Sequence, residues 1–114
     1  VTSSFAEAAR AMLEQARLTK ERVTLVSPPA AAGWQGIGWW LATVDALARQ
    51  CPDQAFDAVL DCGAAPGHAL AALRAGVKAV RLDASPETLR AVGEIATALG
   101  STLLDATWRP ERPE

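Results

Sequence analysis

Phe56-Asp57-Ala58-Val59-Leu60-Asp61-Cys62-Gly63-Ala64-Ala65-Pro66-Gly67-His68 is the stretch that decides the fold of this chain. Ala58-Val59-Leu60 is a short apolar run suited to a buried strand, predicted over residues 56–62. The two glycines and Pro66 then make a tight turn, and residues 68–75 form a helix closed by Gly76. A strand, a glycine turn and a helix make up most of a βαβ unit. Strands joined by helices run parallel, with right-handed crossovers.

Toward the C-terminus the unit repeats in kind. Residues 78–83 form a strand, and Ser85-Pro86-Glu87 supplies an N-cap, a proline at the first helical position and an acid in the first turn. Leu89, Val92, Ile95, Ala96 and Leu99 give the buried stripe of the next helix. Gly100 ends it, and residues 101–105 form a fourth strand. The tail from Thr107, with Pro110 and Pro113, is expected to fray. This divides the chain into one α/β domain over residues 1–106 and a flexible tail over 107–114.

Toward the N-terminus, Val23-Thr24-Leu25-Val26 is a strand ending at Ser27-Pro28-Pro29, and residues 30–33 read as a flexible turn. A helix over residues 35–49 carries Ile37, Trp40, Leu41, Val44 and Leu47 on one side and stops at Pro52-Asp53. The first helix covers residues 5–20, with Phe5, Ala9, Met12, Leu13 and Ala16 on its apolar face and a capping box from Ser4 and Glu7. The order α-β-α-β-α-β-α-β predicts an α/β fold: a small open three-layer α/β/α sandwich. It has about four parallel strands with helices on both faces, preceded by an N-terminal helix.

Composition narrows the functions. The chain has 114 residues, half of them hydrophobic, enough for a core without disulfides or metal. Eleven basic and thirteen acidic residues leave a net charge of −2, without the basic surplus that nucleic acid demands. Cys51, Cys62 and the single His68 match no zinc spacing, so no metal site is expected. No stretch reaches the roughly 20 apolar residues of a membrane span. Residues 1–4 show no signal-peptide pattern, so the expected location is the cytoplasm.

Ligands of open parallel sheets bind beyond the carboxyl ends of the strands, marked here by Ser27, Asp61, Asp83 and Asp105. The glycines of the Gly63–Gly67 loop let backbone approach a ligand closely, and the amides opening the next helix suit an anion. Asp83 lies twenty residues after Gly63, the spacing at which an acid meets ribose hydroxyls in dinucleotide folds. Asp61, Gly63, Gly67, His68 and Asp83 are therefore the candidate binding residues, for a small anion or a nucleotide. The plainer reading is that the glycines only turn the chain and the acids only cap helices. Cys62 is equally well a small buried hydrophobe.

Three resemblances attach to these residues. Asp61-Cys62-Gly63-Ala64-Ala65-Pro66-Gly67 resembles the first motif of S-adenosylmethionine-dependent methyltransferases of the RNA-ribose type, with Asp83 matching their second-strand acid. That resemblance implies glycines cupping the methionine and Asp83 holding the ribose. Residues 72–79, followed by Asp83-Ala84-Ser85-Pro86-Glu87-Thr88-Leu89, resemble the closing third of bacterial response-regulator receivers. Strand 1 ends in Ser27-Pro28 where receivers carry an acidic pair, so this resemblance implies a receiver-like domain that binds a partner. Taken whole, the chain is similar to a group of short, uncharacterised bacterial α/β proteins, which adds no chemistry.

Trp34, Trp39 and Trp40 cannot share one helical face, because adjacent residues point about 100° apart. With Trp40 in the core, Trp39 is either covered by the first helix or exposed at an interface, where tryptophan is enriched. The three tryptophans are the candidate interface of a homodimer. The leading expectation is a non-enzymatic, self-associating binding or protein-interaction module, with no catalytic residue and no cofactor. The alternative is a nucleotide- or S-adenosylmethionine-binding domain using the Gly63–Gly67 loop and Asp83.

Overall fold

The computed structural model of the chain describes residues 5–20 and 22–109. Five helices and four strands follow one another along it, alternating except where α2 and α3 are adjacent: α1 (Phe5–Thr19), β1 (Val23–Val26), α2 (Ala31–Trp34), α3 (Ile37–Gln50), β2 (Phe56–Asp61), α4 (Pro66–Arg74), β3 (Ala79–Arg81), α5 (Pro86–Ala98) and β4 (Thr102–Leu104). The strands form one sheet in the order β1-β2-β3-β4, every neighbouring pair parallel. This is the open α/β fold expected from the sequence, with four parallel strands and a leading helix, except that the described helices pack on one face of the sheet and the second helical layer of the expected three-layer arrangement is not found among them.

Local chemistry explains where the elements begin and end. Ser85 caps α5 by accepting the Thr88 N–H at 3.2 Å, and Pro86 opens the helix. α4 and α5 end alike. Gly76 takes φ +103° and donates to Leu73, while Val77 donates to Ala72; Gly100 takes φ +75° and donates to Thr97, while Ser101 donates to Ala96. Both are Schellman turns, in which a left-handed glycine closes the last carbonyls and aims the chain into the next strand.

Some boundaries differ from the expectation. α4 starts at Pro66 rather than His68, because proline at the first helical position loses no hydrogen bond. Residues 31–34 are not a loose turn but one helical turn, set up by Ala30 at φ +56°. α3 consequently starts at Ile37, after Gly36 at φ +98°. The Ser4 half of the expected capping box, and residues 110–114 of the expected tail, lie outside the described residues.

Residues paired across a parallel ladder share a face, as do residues two apart in one strand. The register sets Leu25 opposite Ala58, Leu60 opposite Val80 and Val80 opposite Leu103. These side chains, with Cys62 and Leu82, form the face against which the described helices pack. Leu25 clusters with Ala9 and Leu13 of α1 and Leu47 of α3. Leu60, Cys62, Val80 and Leu82 cluster with Trp40 of α3, Ala69, Ala72 and Leu73 of α4, and Val92 and Ala96 of α5. The alanines of α4 let that helix lie close to the strands.

The opposite face carries Thr24, Val26, Asp57, Val59, Asp61, Ala79, Arg81, Thr102 and Leu104. Val59 is 2% exposed yet belongs to neither helix-packed cluster. The helices gather on the first face because right-handed crossovers between strands in the order 1-2-3-4 carry each connection over the same side.

Trp40, 2% exposed, is the largest fully buried side chain, and Phe5 of α1 meets its ring at 5.5 Å. This aromatic contact ties the leading helix to α3. Replacing Trp40 by alanine should remove about 3–5 kcal/mol of stability. Urea denaturation followed by circular dichroism measures it, and a loss below about 1 kcal/mol would contradict the packing described.

Candidate functional site

Parallel pairing of β2 and β3 brings the loops after Asp61 and after Arg81 side by side at one rim of the sheet. The Asp83 N–H donates to the Gly63 carbonyl at 2.8 Å, joining the two loops directly. Asp61, Gly63, Ala64, Arg81, Asp83 and Ala106 line a cavity of about 220 Å³ there. Of the sequence-derived candidates, Asp61, Gly63 and Asp83 therefore meet at one place.

Asp61 holds this rim together. Its Oδ1 accepts the Ala30 N–H at 2.9 Å and the Gly63 N–H at 2.8 Å, and its Oδ2 takes the Arg81 guanidinium at 3.2 Å. The Ser27 hydroxyl accepts the Asp61 N–H at 2.9 Å. A carboxylate 8% exposed is stable only when its oxygens are satisfied in this way. Its acceptors bind the protein itself. Asp83, by contrast, has an exposed side chain at the mouth of the cavity.

The two glycines of the loop have different reasons. Gly63 sits at φ +59°, and a Cβ there would lie 3.1 Å from the Ala30 Cβ. Glycine is needed for conformation and for space together. Gly67 is exposed in the first turn of α4, and a Cβ there would meet nothing within 4 Å. The exposed His68 leans on α2 instead of on the cavity: a Cβ added to Gly33 would stand 2.9 Å from its Cε1.

Cys62 points into the helix-packed core, 1% exposed, with its thiol directed at the Leu60 carbonyl. Burial, assisted by the charge of Asp61, pushes the thiol up to about 12. A thiol so protonated at neutral pH is not a nucleophile. Cys51 is likewise free and buried.

Sequence reasoning passed over Arg81. The structure places it at the centre of the rim, bonded to Asp61 and, through Nη2, to the Ala106 carbonyl at 2.9 Å. Its Nε is buried without a partner. Strand alternation carried the signal, since Val80 and Leu82 facing the core leave Arg81 on the opposite face. Asp105 holds the neighbouring turn, accepting the Thr107 hydroxyl and N–H, and these bonds lower its carboxyl from the ordinary value.

The tryptophans separate. Trp40 is core, and Trp39 is half-buried with its ring 6.0 Å from Phe5, so α1 partly covers it. Trp34 is 61% exposed, and its indole Nε1 donates to the Pro29 carbonyl at 2.8 Å. A larger depression of about 640 Å³ lies at the other end of the strands. It is lined mainly by apolar and backbone groups of Leu41, Val44, Phe56, Gly76, Val77 and Gly100.

Among the described residues no group of three His, Cys, Asp or Glu side chains is placed to hold a metal ion. No described helix is long and apolar enough to cross a membrane. No family model matches the chain. No curated protein matches it at a significant level.

Two predictions follow from this geometry. Gly63→Ala should lose about 1–3 kcal/mol, the cost of a strained backbone position, while Gly67→Ala should gain about 0.4–1 kcal/mol by restricting the unfolded chain. Equal effects in urea titrations would refute the distinction. Cys62 should resist Ellman's reagent at pH 8 until the protein unfolds. The unfolded thiol titrates near 9.0 and the folded one near 12, so stability is full below pH 9 and falls as pH rises through that window. Cys62→Ala should flatten the fall, and an unchanged pH profile in that variant would rule out Cys62 as its source.

Proposed function

We propose that this chain is a small α/β interaction module that binds protein surfaces, in the first instance a second copy of itself. One observation carries the reading: among the described residues, one whole face of the sheet lacks helical cover, and the outer edges of β1 and β4 pair with no further strand. All-parallel sheets are nearly always covered on both faces, because their strands rely on burial for stability. Here Val26, Val59 and Leu104 lie on the face outside the helix-packed clusters. Two free, buried thiols suit the reducing environment of the cytoplasm. The engagement of Asp61 and Cys62 with the protein supports binding over acid–base or nucleophilic chemistry at the rim.

A second reading keeps the rim as a small-ligand site, favoured by the bond between Asp83 and Gly63 and by the free Asp83 carboxylate. A cavity of about 220 Å³ suits one sugar or one anion better than a whole dinucleotide.

Multi-angle light scattering from micromolar to millimolar concentration tests the first reading, with a mass twice that of the chain expected. A monomer throughout the range would end it. Titration calorimetry with S-adenosylmethionine, nucleotides and sugar phosphates tests the second. Heat abolished by Asp83→Ala would promote it, and silence across the panel would retire it.

A further inference from the structure

The strand order specifies how a second copy would fit. A parallel sheet in the order 1-2-3-4, with its helices gathered on one face, has the architecture of half a β/α-barrel. We propose that two copies close an eight-stranded barrel, β4 of each pairing parallel with β1 of the other and the uncovered faces turned inward. This rests on the self-association reading and names its geometry.

Backbone direction supports it. The Ser27 N–H donates to Val59 at 3.0 Å, so Ser27 faces β2, and strand alternation turns the amides of Val26 and Thr24 to the free edge. At the other edge, Thr102 donates to Lys78 at 2.9 Å and Leu104 accepts from Leu82 at 2.9 Å, which leaves the N–H and C=O of Leu103 pointing outward. Both edges offer unpaired main-chain groups, and both strands run the same way. A two-fold axis along the barrel satisfies both seams at once.

The helix layer has a matching gap. A groove of about 520 Å³ runs beside β4 between Leu89, Gly93 and Thr97 of α5 and Leu103 of the strand. In a barrel, the helix preceding the next strand fills that place. α1 precedes β1 and packs on it, so β1 of the second copy would bring its own α1 into the groove, where Gly93 and Thr97 leave room for a helix. The inward face also suits enclosure. Val26, Val59, Ala79 and Thr102 are small to medium in size, as an eight-stranded interior requires. Its charges are neutralised within each copy, Arg22 by Asp57 at 2.8 Å and Arg81 by Asp61 at 3.2 Å, so two copies do not repel.

Thr24→Pro removes an edge amide without touching the bonds to β2, at an outward-facing edge position of the kind where strands tolerate proline. Light scattering should show the wild type and Thr24→Val at twice the chain mass and Thr24→Pro at the chain mass, with unchanged far-ultraviolet circular dichroism. In the wild type, the amides of Thr24, Val26 and Leu103 should be protected from hydrogen exchange at high concentration and lose protection on dilution. That measurement decides the matter if Thr24→Pro fails to fold. A dimer that survives Thr24→Pro but is broken by Trp34→Glu would overturn the barrel and leave self-association standing. Assemblies that grow beyond the dimer would overturn closure. A wild-type monomer would overturn both.

Discussion

The Asp61 carboxylate is the constraint on which the upper rim of the sheet depends. It lies at the end of β2 and collects the backbone of the β1–α2 turn through Ala30, the β2–α4 turn through Gly63, and β3 through Arg81. Charge-assisted bonds of this kind are the strong ones, and a buried carboxylate deprived of one partner costs more than the bond itself contributes. Ala30 and Gly63 both occupy left-handed backbone positions. Their amides converge on Asp61, so the carboxylate and the turns fix each other.

This has a consequence for function. An acid at the tip of a central strand, beside a glycine turn, has the appearance of a ligand contact in sequence, yet its oxygens are engaged internally. What it presents outward is a defined shape, with Asp83 at its mouth and Arg81 at its base. The same ion pair neutralises the uncovered sheet face at that level. The rim and the open face are thus two surfaces organised by one side chain.

Much of this was legible in the sequence because it follows from local rules. The glycines at 76 and 100, the Ser85-Pro86 start and the β-branched Val23, Thr24 and Val26 each report their own conformation, and each stands where the sequence places it. The adjacency of the Gly63 and Asp83 loops followed from parallel pairing alone. Strand order did not show, because nothing in β1 or β4 distinguishes an edge from a centre when both are short and apolar. The distribution of helices between the two faces follows from that order and was hidden with it. Trp39 was undecidable for a related reason: its cover is Phe5, thirty-four positions earlier in the chain. Arg81 was overlooked because a strand arginine usually reads as solvated, and only register puts it beside Asp61.

The order β1-β2-β3-β4 means that every strand is laid beside the one made just before it. A chain emerging N-terminus first from the ribosome would then find each new docking edge already built, with no gap held open for a later segment. Loop closure involves only neighbouring units, which favours rapid folding even for a parallel sheet. Each new strand covers the open edge of the one before it and exposes its own, so the growing sheet hands its unsatisfied border forward from β1 to β4.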